Sequence, residues 1–221
     1  MIRLLIVFLA FFAFKATAQV LLSDSFEGSV IDSEKWNAIF PNENSSLSSL
    51  EGNLRSFNRG TLISRNEFSN SYIVSGIFKK SALLDAPSIV LMANGQIHST
   101  GKPVGFHLVF SDHLYFLSHP ESDSPPHNNG LDLVEGPAFL PFLNYNFQIN
   151  VSDDQIAITI DGNQLVSFEN RFGRKSGSVA FLNIGDGFSD LLELRVSVPE
   201  PSSLSLLLAG GAVALSRRRK S

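Results

Sequence analysis

Between residues 19 and 198 the chain alternates short apolar runs with clusters of turn-forming residues. Ser71 to Phe78 is rich in β-branched and aromatic side chains, and Ser88 to Met92 and Phe106 to Phe110 are runs of the same kind. Ile156, Ile158 and Ile160 alternate with Ala157 and Thr159, which predicts a strand over Gln155 to Ile160 with one buried face. Asn146 to Val151 precedes it across Ser152-Asp153-Asp154, a hairpin-type turn. Asp161-Gly162-Asn163-Gln164 forms a second tight turn, with Asp-Gly as the strong local signal, and leads to Leu165 to Phe168. Val179 to Ile184 and Leu191 to Val198 close the series. Neither a long helical period nor an internal repeat is visible. Short strands at regular spacing predict an all-β fold, an antiparallel β-sandwich. Ser118 to Pro137 breaks the rhythm: it holds His119, Pro120, Pro125, Pro126 and Asn128-Asn129-Gly130 and predicts a polar loop. A loop of that length either lines a binding face or is a disordered insertion.

The two ends follow other rules. Met1-Ile2-Arg3 is a short positive segment, and Leu4 to Phe14 is an apolar run of eleven residues. Ala16-Thr17-Ala18 fits the small-x-small cleavage pattern and predicts a mature start at Gln19. Eleven residues are too few to cross a hydrocarbon core of about 30 Å, so the segment reads as a signal peptide rather than an anchor. At the other end, Val198-Pro199-Glu200-Pro201 is followed by a mostly apolar stretch from Ser202 to Ser216 and by Arg217-Arg218-Arg219-Lys220-Ser221. Two prolines flanking a glutamate hold the backbone extended, and Pro201 can open a helix. The terminal arginines would stay on the cytoplasmic side, with the domain outside. This tail resembles the PEP-CTERM sorting signal of Gram-negative bacteria that make exopolysaccharide. Triplet, apolar segment and terminal arginines match in order over Val198 to Ser221. The resemblance implies that Pro199, Glu200 and Pro201 are recognised by an exosortase-type membrane enzyme. It also implies processing near that motif and delivery to the envelope or the extracellular matrix. One departure is length: Ser202 to Ser216 makes an ideal helix of about 22 Å, short of the ~30 Å core, so bilayer thinning or arginine snorkelling would absorb the mismatch. The chain thus divides into a signal peptide (1–18), a β-sandwich domain (19–197) and a sorting signal with a short membrane helix (198–221).

Charge sharpens the picture of the middle. Six of the 17 basic residues (Arg3, Lys15, Arg217, Arg218, Arg219 and Lys220) lie in the ends, against only Glu200 of the 21 acidic residues. The domain is therefore strongly acidic and would repel a phosphate backbone, which argues against nucleic acid as a partner. The chain has no cysteine, which removes disulfides, thiolate metal sites and a cysteine nucleophile. The core must carry the fold, and fifteen phenylalanines between Phe26 and Phe188 supply much of it.

Asp24-Ser25-Phe26-Glu27 with Ile31-Asp32-Ser33-Glu34-Lys35-Trp36 resembles the opening of concanavalin-A-like jelly rolls. Asn146 to Phe168 is similar to a late hairpin of laminin-G and glucanase-like members. Gly177 to Phe181 and Asp190 to Val196 would then be closing strands. The glucanases of that fold project three carboxylates from one E-x-D-x-x-E strand. Glu121-Ser122-Asp123 is the nearest match, but it continues into Pro125-Pro126 and lacks the third carboxylate, so no catalytic residue is assigned. His98, His107, His113, His119 and His127 form no zinc-type pair and read as surface or loop residues, with Ser111-Asp112 as a turn between two of them. Trp36 is predicted to be a core residue rather than a sugar platform. Tyr72, Tyr115 and Tyr145 remain candidates for stacking. The resemblance also implies a structural calcium between the first and last strands, to which Asp24 and Asp190 could contribute oxygens; no other cofactor is expected.

The sequence thus reads as an exported, non-catalytic envelope or matrix protein. Its sandwich would bind extracellular polysaccharide or act structurally, and its tail would be handled by an exosortase. The alternative is a concanavalin-A-like glycoside hydrolase with an unrecognised site.

Overall fold

The computed structural model describes residues 18–50, 52–69, 71–98, 102–119, 138–170, 176–185 and 187–198. The leader with Ala16, the Glu121-Ser122-Asp123 segment, His127 and the tail with Pro199, Glu200, Pro201, Arg217, Arg218 and Arg219 lie outside them. So do the side chains of Tyr115 and His119.

Among the described residues every regular element is a strand. In chain order these are β1 (Val20–Asp24), β2 (Trp36–Ile39), β3 (Ser46–Leu50), β4 (Asn53–Phe57), β5 (Thr61–Ser64), β6 (Phe68–Ser69), β7 (Tyr72–Lys80) and β8 (Pro87–Ala93). They continue with β9 (Gly105–Phe110), β10 (Leu114–His119), β11 (Asn144–Val151), β12 (Gln155–Ile160), β13 (Asn163–Glu169), β14 (Ser176–Asn183) and β15 (Phe188–Ser197). All pair antiparallel in two sheets. The first runs β13-β12-β11-β7-β15-β4-β3, with β1 added to β15; the second runs β10-β9-β8-β14-β5-β2, with β6 added to β14. The predicted hairpin is present, with Val151 opposite Ile156 and Phe147 opposite Ile160. Ser111 to His113 is the turn between β9 and β10. Strand β10 runs on through Ser118 and His119, which the sequence placed in the loop.

The alternation read from the sequence sets the layers. Ile156, Ile158 and Ile160 point inward with Ile149, Phe147 and Val74, and meet Ile89, Leu91, Phe106, Leu108 and Phe181 of the second sheet. Phe78 is the aromatic centre: its ring lies 4.7 Å from Phe110, 5.9 Å from Phe139 and 5.4 Å from Tyr145. Trp36 is 2 % exposed, and its indole N–H donates to Asp24 Oδ2 at 2.8 Å, so the predicted core position holds.

A buried polar network ties the sheets together. Asn183 Oδ1 accepts from the Ala86 N–H and the Ser189 hydroxyl, both at 2.9 Å, and Asn183 N–H donates to Ser56 Oγ at 2.8 Å. With every partner satisfied, the network fixes how the β8 and β15 starts meet β14.

The ends of the sandwich domain lie side by side. Strand β1 pairs with the last residues of β15, Val20 opposite Ser197, and Val198 N–H donates to Gln19 O at 2.9 Å. Gln19, the predicted mature start, and Val198, the last residue before the Pro-Glu-Pro triplet, are thus bonded to each other.

Candidate functional site

The second sheet has an unusual outer face. Its strands read WNAI, TLIS, FS, PSIVLMA, GFHLVF, LYFLSH and SGSVAFLN, without one Asp, Glu, Lys or Arg. An antiparallel sheet facing water on one side normally alternates apolar and polar positions. Here Ile63, Val90, Ala93, Ala180 and Leu182 form a second buried apolar layer on the outside, with Ile39 and Ile184 against it. Residues 94 to 98 and 102 to 104 fold back over part of this face: Asn94 N–H donates to Val104 O, and Val104 N–H to Gln96 O. His107, fully buried, anchors this segment through Nε2 to Pro103 O at 2.7 Å and lies 3.4 Å from Ser88 Oγ through Nδ1. His98 is buried as well. His98 keeps the loop placement expected of the histidines, although buried, whereas His107 lies on β9; its imidazole serves as the polar peg that satisfies a carbonyl beneath the folded-back segment. His113 is exposed in its turn.

At the β2 edge this face opens into a polar shelf of about 460 Å³. Asn37, Arg65, Glu67 and Asn94 line it, with Ser64 and Ser178 at its base. Ser64 Oγ is committed to the fold, donating to Asn66 O at 2.8 Å and accepting from Val179 N–H at 3.0 Å. Asn94 is braced by Gln96: its Nδ2 donates to Gln96 Oε1 and its Oδ1 accepts from Gln96 N–H, both at 3.0 Å. Arg65 and Glu67 are exposed. Amide, guanidinium and carboxylate groups on one shallow surface suit a ligand rich in hydroxyls. Among the described residues, Glu67 is the one carboxylate that lines the shelf. These four residues come from three separate segments and match no motif, so nothing in their local sequence marks them as a site.

Other sequence-picked residues are spoken for. Asp190 accepts from Arg55 Nε at 2.8 Å and Nη2 at 3.0 Å, with the Phe188 ring 4.0 Å from the guanidinium. Asp24 caps Phe26 N–H through Oδ1 and holds Trp36 through Oδ2. Asp24 lies opposite Leu194 and Asp190 opposite Arg55, so β1 does not bring the two carboxylates together as a shared calcium site would require. Among the described residues no group of three or more acidic or histidine side chains is placed to hold a metal. Tyr72 is buried and cannot stack on a ligand; burial raises its phenol well above the ordinary range. Tyr145 packs against Phe78 and Phe139.

Comparison with known proteins agrees with both parts of this architecture. Residues 197–220 match the model of the PEP-CTERM protein-sorting motif. Such a motif implies export and cell-surface sorting in bacteria, with processing by an exosortase. No curated protein matches the chain. Among solved structures, a putative glycosyl hydrolase from Parabacteroides distasonis is similar at a TM-score of 0.58 and 12% identity, covering 83% of this chain and 100% of that one. A carbohydrate binding module from Bacillus subtilis gives 0.56 and 11%, over 74% and 95%. The β-agarase A of Zobellia galactanivorans gives 0.58 and 12%, over 82% and 92%. The middle domain therefore has the concanavalin-A-like jelly-roll fold that hydrolases and carbohydrate-binding modules share; at such identities the likeness concerns fold alone.

Proposed function

We propose that this protein is an exported, non-catalytic component of the bacterial envelope or matrix. Its signal peptide is removed before Gln19, its tail is processed near Pro199 to Pro201, and its sandwich contacts glycan. The observation that carries the glycan reading is the polar shelf, which offers Asn37, Arg65, Glu67 and Asn94 to hydroxyl groups and, among the described residues, supplies one carboxylate. The absence of charged residues from every strand of the second sheet agrees with a binding rather than a hydrolytic role.

The mature domain is expected to be retained on a neutral polysaccharide without releasing reducing ends. A hydrogen bond contributes roughly 1 kcal/mol, so Asn94→Ala and Arg65→Ala should each weaken retention about fivefold. Reducing-end release that disappears in Glu67→Gln would instead establish the hydrolase. Sorting is tested separately by intact mass in hosts with and without an exosortase. Loss of residues 1–18 in both hosts, with a cut near Pro199 to Pro201 only in the first, is the expected pattern.

A further inference from the structure

At the pole of the sandwich opposite the tail, the backbone holds an exposed phenylalanine in a conformation that costs energy. Phe142 has φ +65° and is 70 % exposed. The left-handed region is a genuine outlier for a bulky side chain. Among the described residues, two other apolar ones have positive φ, Phe26 and Met92, and both are buried. Their packing offsets the strain. The Phe142 ring gains no such burial from the folded chain. Strain of this kind persists where the surroundings enforce it, and it clusters at functional sites.

The surroundings do enforce it. Phe142 N–H donates to Lys80 O at 2.8 Å, and Leu140 N–H donates to the Tyr145 hydroxyl at 2.6 Å. Lys80 is fully buried, and its ammonium donates to Leu83 O at 3.2 Å and Ser111 O at 2.8 Å. One lysine therefore fastens three turns to the end of β7. Those turns enclose a cavity of about 370 Å³ lined by Leu83, Leu84, Ser111, Asp112, Phe139 and Leu140. Leu140 continues through Pro141 to Phe142. The volume lies in the range of small-ligand sites. The rim is apolar and exposed: Leu84 is 84 % exposed, and Leu83, Leu140 and Leu143 are at least half exposed. The cavity also holds a carboxylate, Asp112, whose Oδ1 accepts the Ser111 hydroxyl at 2.6 Å. That bond and the Asp112 main chain keep the acid below its usual range, so it is present as an anion.

We infer that this pole is a second glycan contact, taking the apolar face of an uncharged pyranose on the Phe142 ring while Asp112 accepts its hydroxyls. The inference rests on the glycan-contact reading above and adds to it a site remote from the shelf. An exposed aromatic ring fits the C–H face of a sugar, and an ionised carboxylate accepts hydroxyl donors while repelling acidic sugars. Ser189 pairs with Lys80 and Ser197 with Ile73, so β15 starts at this pole and delivers the tail at the other. A domain held by its tail would present Phe142 outward. Symmetric packing of two copies through the pole would bring two Asp112 anions toward each other, which disfavours self-association as its use.

Two substitutions test the site. Phe142→Gly relieves the strained φ and removes the ring. It should raise the melting temperature by about 2–4 °C while weakening retention on neutral polysaccharide at least tenfold. Phe142→Trp places an indole there, and its emission should change on titration with glucose, galactose or mannose oligosaccharides; buried Trp36, bonded to Asp24, is the silent reference. Arg65→Ala should leave that emission response intact. Full retention by Phe142→Gly while Arg65→Ala is impaired would overturn this inference and leave the shelf standing. A wild-type dimer that Phe142→Gly converts to monomer would overturn it in favour of self-association. Failure of the wild type to bind any neutral glycan would remove the glycan reading itself.

Discussion

Lys80 shows how far a single residue can be from its ordinary state. Burial pushes its ammonium below the usual 10.5, and the Asp112 and Asp85 charges oppose that push. The unfolded chain therefore binds the proton more tightly than the folded one. Between the lowered value and 10.5 the unfolded state carries more protons, so stability from this group rises with pH across that window. Urea unfolding of the wild type from neutral pH to pH 10.5 should show this rise, and Lys80→Met should lack it. At this scale the sequence was legible where one residue's chemistry suffices and silent where a distant partner decides. Trp36 in an opening strand was readable as core. Asp190 was not readable as the mate of Arg55, 135 positions away. His107 lies in an apolar run, GFHLVF, and its burial depends on a carbonyl delivered by Pro103.

Among the elements, the strands that emerged from the sequence are those with inward-facing β-branched or aromatic residues, such as β7, β8, β9 and β12. The short strands β3 and β4, SLSSL and NLRSF, did not emerge, because short polar segments of this kind bury too few apolar residues to show a period of two. Their placement comes from pairing with β15 and with each other. The bulge in β15 between Leu191 and Glu193 was equally invisible. Next to it, Gly76 on β7 pairs with Leu194, and a Cβ at Gly76 would collide with the Glu193 carbonyl and the Phe147 ring. Gly76→Ala must open the ladder at the bulge, at a cost of about 2 kcal/mol or more. The expected signature is a lowered urea midpoint with an unchanged slope.

For the molecule as a whole, the class of fold was legible in the sequence, whereas the shelf and the Phe142 pole were not. Both surfaces are assembled from segments far apart in the chain, and only the closed sandwich brings them together. The shelf lies on the outer face of the second sheet and the pole at the far end of β15 from the tail, so one domain would hold a polymer at separate points. Two weak contacts on one rigid body reinforce each other through effective concentration.

The bond between Gln19 and Val198 means that the domain's own beginning and end are neighbours, so the strand order is close to a ring. A ring can be opened elsewhere. A circular permutant that joins Val198 to Gln19 through a short glycine linker and opens at the Asp161-Gly162 turn should fold to the same sandwich, with a melting temperature within a few degrees of the parent. Such a molecule would keep both proposed glycan surfaces while carrying its sorting tail at the opposite pole, beside Phe142, because the Asp161 turn is bonded to Asn146 near the start of β11. Orientation on the cell surface could then be inverted without changing a single side chain of the domain.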